Sequence, residues 1–524
     1  MDALDSTRRR ALSGYRRLEH GFDAVFGAAQ NPWRHLGAIG FLFFWIVALS
    51  GLYLYAAFDT SVDGAYRSIN WLSREQWYLG GVLRSLHRYA ADAFLLVTLL
   101  HLLREFLLGR YAGFRHFSWL TGIPLLWFIY VSGVVGTWLR WDQMSQFSAT
   151  STAEWLDGLP FFAAALTRNF LGAGAVSDRL FSLFVFVHIG VPLLLVFGLW
   201  FHIQRISRAE VMPPLALAAG SALALLALAL VQPVASQAAA DLSRVPGTVE
   251  LDWFYLFWQP LMYASSAGVV WALAAGASLL LFVLPVLPQT AFAPVAQVDP
   301  DNCNGCRRCF ADCPYAAIVM VPHPGGAADR QLAEVIPGLC AGCGICAGAC
   351  PSSTPFRSVT QLLTGIDMPQ LPINRLRGAL EQGLARLEGE TRIVVFGCDE
   401  GADVRRLAGG DVASFSLICI GMLPPSFVEY ALRGGATGVL VTGCRAGGCT
   451  FRLGQRWTEA RLSGAREPRL RGSAPGSCVR LAWADREDGA ILTAVLAEFK
   501  LALSRGRQSA TGAIDASNEA GAHA

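Results

Sequence analysis

The 524-residue sequence predicts a multidomain protein: a six-helix transmembrane bundle, then a small cysteine-bearing insert, then a small α/β domain with a parallel sheet. Three observations carry that expectation. Six apolar runs of about twenty residues, each long enough to cross a bilayer, lie before residue 290. Eight of the 13 cysteines fall between Cys303 and Cys350 in two runs of identical spacing. From 391 to 500, short β-rich runs (RIVVFG, FSLICI, TGVLVTG, VRLAWA) alternate with helical stretches, the pattern of a parallel sheet. Composition agrees, with 53% hydrophobic and 15% charged residues, against about 25% charged in soluble domains. The net charge of only +3 and arginines that flank apolar runs give no nucleic-acid footprint.

The apolar runs fall at roughly 36–57, 83–108, 118–139, 179–203, 214–234 and 263–287. Six spans return the chain to its starting side. Arg8, Arg9, Arg10, Arg16, Arg17, Arg110, Arg115, Arg205 and Arg208 fall on one face, and basic residues gather on the cytoplasmic side. Arg67, Arg74, Arg140, Arg168 and Arg244 on the other face moderate the bias. A multi-pass protein of the inner cell membrane with both termini cytoplasmic is expected. The first thirty residues are polar and basic, so a cleaved signal peptide is not expected.

Four histidines lie inside these runs: His87 and His101 on the second, His188 and His202 on the fourth. Each pair is fourteen residues apart, almost four turns, so both imidazoles face one way about 21 Å apart. Polar residues at this depth are costly and mark function. Two such helices side by side present two facing pairs, each able to ligate one haem iron; the alternative is buried, hydrogen-bonded histidines. Which ring nitrogen would bind iron is open at this point. Gly37 with Gly51, and Gly122 with Gly136, repeat the same spacing, and glycine lets a porphyrin edge approach a helix backbone.

The segment 81–110, with Arg84 three residues before His87, and the run GTWLRWDQMSQFSA at 136–149 resemble the cytochrome b of respiratory and photosynthetic bc complexes. The resemblance covers about 20–290. It implies two b haems, His87 with His188 near the outer face and His101 with His202 near the cytoplasm. It makes Arg84 and Arg179 candidates for pairing haem propionates, with interface anchoring the alternative for Arg179. Glu250, Asp252, Trp253 and Tyr255 resemble a degraded Pro-Glu-Trp-Tyr segment of the family's outer quinol site, with Asp252 as the acid that shuttles a proton beside a quinone. An aromatic belt at the interface is the alternative there.

The cysteine runs read Cys-x2-Cys-x2-Cys-x3-Cys-Pro, the pattern of a two-cluster ferredoxin in which the fourth cysteine serves the other cluster. One [4Fe–4S] set is then Cys303, Cys306, Cys309 and Cys350, and the second is Cys340, Cys343, Cys346 and Cys313. Zinc or disulfides do not call for this doubled, proline-ended spacing.

Cys398, Cys419 and Cys444 sit at or near the ends of expected strands, and Cys449 follows in GCRAGGC, so four thiols can meet at one sheet edge. VVFGCDEGADV, LICIGMLPPSFVEYALRGGATGVLVTGC and GCRAGGCTFRLGQRW resemble the delta subunit of methyl-viologen-reducing hydrogenases. That likeness implies a [2Fe–2S] cluster on Cys398, Cys419, Cys444 and Cys449, buried structural cysteine being the alternative and the expected role of Cys478. The expected divisions are 1–290 (membrane domain), 291–356 (ferredoxin-like insert), 357–390 (linker helix), 391–503 (α/β domain) and 504–524 (disordered tail).

Together these features predict the electron-transport subunit of a quinone-linked oxidoreductase, passing electrons between a cytoplasmic catalytic partner and quinone or quinol. The delta-subunit likeness implies that partner: a flavoprotein resembling the large heterodisulfide reductase subunit, a hydrogenase, or a formate dehydrogenase. A membrane redox sensor, whose clusters report rather than conduct, is the alternative.

Overall fold

The computed structural model describes residues 2–160, 165–170, 176–245, 247–250, 252–287, 294–325, 330–471 and 476–521. The chain divides into two compact units, one made of 1–204 and 209–289 and the other of 205–208 and 290–524.

The first unit is helical: α1 (Asp2–Phe26), α2 (Leu36–Ala57), α3 (Val62–Arg74), α4 (Val82–Leu107), α5 (His116–Trp138), α6 (Gln143–Asp157), α7 (Asp178–Ile203), α8 (Leu215–Val231), α9 (Trp258–Ala264) and α10 (Ala267–Val283). Each of the six apolar runs has become one helix. Four stretches are long and apolar enough to cross a membrane: Leu36–Ala57, Gly113–Trp138, Asp178–Ile203 and Ala267–Val286. The other two differ for visible reasons. α4 carries Arg84, Arg88, Asp92, Arg104 and Glu105, and α8 has 17 residues, ~25 Å at 1.5 Å each. Side-chain caps mark several helix starts: Ser61 accepts from Gly64 N, Asp142 from Ser145 N and Ser177 from Leu180 N, satisfying amides a helix start leaves unpaired. α2 packs along α4, and α5 along α7, each pair burying apolar side chains such as Ile39, Phe43, Phe94, Ile129 and Leu195.

In the second unit, the cysteine-rich segment holds β1 (Gln297–Val298), α11 (Arg308–Asp312), β2 (Ile318–Pro322), β3 (Gln331–Val335), α12 (Ile345–Ala349) and β4 (Ile366–Asp367). β1 pairs with β4 and β2 with β3, both antiparallel. Its two halves repeat one backbone: Gly305 and Gly342 have φ of 69° and 67°, and Arg307 and Gly344, at matching places, 61° and 74°. These left-handed turns bend the chain so that cysteines three apart converge, a conformation glycine adopts freely and arginine only against a steric cost.

Then follow α13 (Ile373–Ala385), β5 (Ile393–Cys398), β6 (Val412–Leu417), α14 (Pro425–Arg433), β7 (Gly438–Gly443), α15 (Gly454–Leu462), β8 (Val479–Trp483) and α16 (Gly489–Gly521). The four strands form a parallel sheet ordered β6-β5-β7-β8. Alternation explains the layers. Val394, Phe396, Val439 and Val441 pack with Leu376, Leu380, Phe427 and Val428, whereas Ile393, Val395 and Leu440 pack with Leu492, Leu496 and Phe499. Both faces are thus apolar, as a parallel sheet between helices requires.

Two expectations are corrected here. The helix read as a linker buries Ile373, Leu376 and Leu380 against the sheet core, because its apolar residues recur at helical spacing despite a polar composition. The second strand ends at Leu417 rather than Ile420, since Cys419 turns into a short 3-10 segment, Ile420–Met422. α16 runs through 504–521 of the stretch read as a tail; alanine favours a helix where no proline interrupts it. Of the Pro-containing linker that the sequence suggests at 287–300, residues 288–293 lie outside the described residues.

Candidate metal centres

Helices α4 and α7 bring the histidines together in the predicted arrangement. The His87 and His188 rings lie 6.2 Å apart, centroid to centroid, at 65°, which leaves room for one metal ion with a bond of about 2 Å to a nitrogen of each ring. His101 and His202 follow one repeat further along the same two helices. His87 Nδ1 is 3.0 Å from the Val47 carbonyl oxygen and 3.2 Å from Ser50 Oγ. His188 Nδ1 is 2.9 Å from the Ser132 carbonyl oxygen. A carbonyl only accepts, so each Nδ1 carries the hydrogen and Nε2 keeps its lone pair for a metal. His202 Nδ1 lies 3.2 Å from Thr121 Oγ1.

The four repeated glycines each face one histidine. A Cβ at Gly51 would stand 2.9 Å from His87 Cε1, at Gly136 2.7 Å from His188 Cε1, at Gly122 3.2 Å from His202 Cε1 and at Gly37 3.4 Å from His101 Cε1. The sequence suggested porphyrin clearance; the contact seen is with the imidazole. Val47 and Ser132 lie four residues before Gly51 and Gly136, on the same helix face. The bare glycine lets each ring reach that carbonyl. Ser50, Thr121 and the carbonyl acceptors were not foreseen, although Ser50-Gly51 and Thr121-Gly122 repeat one polar-glycine step.

Arg84 is buried and donates to Ser73 Oγ and, at 2.8 Å, to Ser236 Oγ. Arg179 is exposed at the start of α7, nine residues and ~13 Å along the axis from His188, and is not brought to the histidine pair. Asp252 is buried. Its Oδ1 accepts from Phe254 N at 2.9 Å and Tyr255 N at 3.2 Å, and its Oδ2 pairs with Arg88. Arg88 Nε also meets Asp92 Oδ2 at 3.2 Å. The Tyr255 ring lies where a Cβ on Gly133 would sit, and Tyr255 Oη donates to the Ala91 carbonyl at 2.8 Å. Asp252 is therefore fixed in place by one guanidinium and two amides. Arg88 and Asp92 went unnoticed in the sequence, though two opposite charges four apart inside an apolar run were the signal.

In the second unit the eight ferredoxin-type cysteines sort into two cavities. One is lined by Cys303, Cys306, Cys309 and Cys350, the other by Cys313, Cys340, Cys343 and Cys346. The fourth cysteine of each run has crossed to the other set. Burial pushes the Cys309 thiol up to about 12 and raises those of Cys343 and Cys346 as well. These donors stay protonated until a cation displaces the protons, as sulfur ligation of iron requires.

The last four cysteines also meet. Cys398 ends β5, Cys444 follows β7, and their sulfurs are 3.8 Å apart. A Cβ on Gly454 would stand 2.2 Å from Cys419 Sγ and 3.4 Å from Cys449 Sγ, so both sulfurs border that glycine. All four are buried, whereas Cys478 is half-buried outside the group. Cys343 and Cys419 share a small core with Ile345, Leu453 and Trp457. There the loops touch backbone to backbone: a Cβ on Gly348 would stand 2.3 Å from the Gly421 carbonyl oxygen. The donor sets fit the groups expected of them: imidazole pairs for haem iron, and four thiols each for three iron–sulfur clusters.

Comparison with known proteins assigns the three parts separately. A family model for Cytochrome b/b6/petB matches residues 24–209. One for a 4Fe-4S dicluster domain matches 298–354, and one for the methyl-viologen-reducing hydrogenase delta subunit matches 393–505. Cytochrome b6 of Tupiella akineta is 29% identical over 184 residues, which are 34% of this chain and 84% of that protein. Among solved structures, a chain of a hyperthermophilic respiratory Complex III aligns at 19% identity over 49% of this chain and 75% of its own, with a TM-score of 0.40, too low to argue from. The three family matches coincide with the three components read from the sequence. The chain is a multi-pass membrane protein of the oxidoreductase, electron-transfer type, with a haem b region and an iron–sulfur segment.

Proposed function

We propose that this protein is the membrane-anchored electron-transfer subunit of a quinone-linked oxidoreductase. The helical part, 1–290, crosses the membrane six times with both termini cytoplasmic. His87 with His188, and His101 with His202, each hold one haem b through Nε2. Cys303, Cys306, Cys309 and Cys350 hold one [4Fe–4S] cluster; Cys340, Cys343, Cys346 and Cys313 hold the second; Cys398, Cys419, Cys444 and Cys449 hold a [2Fe–2S] cluster. Bound in these sites, the haems and clusters supply one-electron chemistry.

The protein's own groups do the rest. Val47, Ser132, Ser50 and Thr121 fix the imidazole rings, and the four glycines give them room. Arg84, buried near the start of α4, is the candidate propionate partner. At the outer quinone site the Arg88 guanidinium keeps Asp92 and Asp252 together, and this carboxylate pair takes up or releases the proton that accompanies an electron. Asp252 itself is restrained by its amide bonds, which leaves Asp92 the freer of the two. The sheet edge bearing Cys398 faces a soluble partner, a flavoprotein of the heterodisulfide-reductase type, a hydrogenase or a formate dehydrogenase.

The observation that carries this reading is the sorting of twelve cysteines into three sets of four, two of which border one apolar core. A cofactor census with steady-state turnover on a quinone analogue tests it. Two haems, about ten irons in three clusters, and sustained reduction of the analogue are expected. Reducible cofactors with negligible flux would replace conduction by sensing, and absence of haem would remove the membrane half.

A further inference from the structure

We propose that Arg461 is a positioning residue that locks the second [4Fe–4S] site against the [2Fe–2S] site and supplies a fixed positive charge beside both; this rests on the cluster assignments proposed above. Arg461, on α15, is fully buried, and its guanidinium is shared among three segments. Nη1 donates to the Gly421 carbonyl at 2.7 Å, two residues after Cys419. Nη2 donates to Asp312 Oδ2 at 2.5 Å, one residue before Cys313, and to the Ile345 carbonyl at 3.3 Å, one residue before Cys346. One cation thus ties down loops of both sites.

Asp312 is itself 2% exposed and accepts a second arginine, Arg466, through Oδ1. Arg466 stacks 3.7 Å above the Trp457 ring, whose Nε1 donates to the Asp312 carbonyl at 3.1 Å. Two guanidiniums against one carboxylate leave an excess positive charge. The Arg461 side chain is 1% exposed and Arg466 19%, so the excess at Arg461 is the less screened by water. A buried charge that only needed neutralising would have one partner; this one is over-supplied beside two sites whose occupants grow more negative on reduction. A positive charge there favours the reduced state and raises the potential, one of the levers by which proteins tune clusters.

The test is redox titration of the full-length detergent-solubilised protein, with cluster signals followed by electron paramagnetic resonance. Arg461→Gln lowers the potentials of the second [4Fe–4S] and the [2Fe–2S] by at least a tenfold change in the reduction equilibrium, about 59 mV for one electron. Asp312→Asn, which keeps shape and leaves the guanidinium in place, moves the same potentials upward. Arg461→Lys keeps the charge without the three-way fork, so the potentials stay near wild type while cluster retention on warming falls. Shifts of one sign in both the Gln and Asn variants, or no shift in either, overturn the proposal. Should Arg461→Gln fail to assemble, the upward shift of Asp312→Asn decides alone. Wild-type protein without three cluster signals would sink the underlying assignment as well, whereas three signals with unshifted variants sink only the role of Arg461.

Discussion

The two units hold their redox sites by opposite means. In the membrane unit, the proposed histidine ligands stand on two long helices at a fixed interval, and second helices answer with glycine at the same interval. One site repeats the other about 21 Å away along the axis, with its own glycines and its own ring-nitrogen partners. In the second unit, the proposed ligands come from loops and strand ends, and neighbouring cysteine sets share core residues and the buried Asp312–Arg461 pair. Periodic helices isolate sites; packed loops couple them. The first arrangement suits transfer across a bilayer, where distance along one axis matters, and the second suits several short steps in a small volume.

That contrast is open to direct attack. The largest effects are losses of whole cofactors. His101→Ala should remove one haem and leave the other, halving the low-spin haem absorbance; loss of both would show that the membrane sites are not independent. Cys343→Ser should remove the second [4Fe–4S] signal and distort the [2Fe–2S] signal with it, and an untouched [2Fe–2S] spectrum would break the claim of coupling. Cys350→Ser should erase the signal of the set containing Cys303; erasing the other instead would undo the crossed ligand assignment.

Smaller effects sharpen it. Arg88→Leu strands two carboxylates, one of them buried, at a cost of about 3–5 kcal/mol, visible as a lowered Tm of the membrane unit, and an unchanged Tm would mean the pair is dispensable. Gly136→Ala places a methyl 2.7 Å from the His188 ring; crowding of this kind costs about 1–3 kcal/mol. One haem band should move, and a spectrum identical to wild type would show that the ring gives way freely.

Much of this was legible because short-range rules decide it. Helix position followed from apolar runs: the second, expected at 83–108, is Val82–Leu107. The cysteine sets followed from a spacing that admits few geometries, and the glycine repeat from the helix period. Other features were not legible. α13 hid its apolar stripe inside a polar composition, and the break after Leu417 followed from a turn at Cys419 that β-propensity does not register. Arg88, Asp92, Asp312 and Arg461 carry ordinary side chains: the Asp312–Arg461 partners lie 149 residues apart, and the Arg88–Asp92 pair, only four apart, went unnoticed.

The sequence by itself determined the ligand types, their intervals and the order of the three parts, because helix rise and tight-loop geometry convert spacing into position with little freedom. Only the tertiary structure decided which glycine faces which histidine, which ring nitrogen meets a carbonyl, and which cation sits between two sets of cysteines. Those depend on packing between segments distant in the chain, where a buried charge or bare backbone is settled by what surrounds it rather than by its neighbours in sequence.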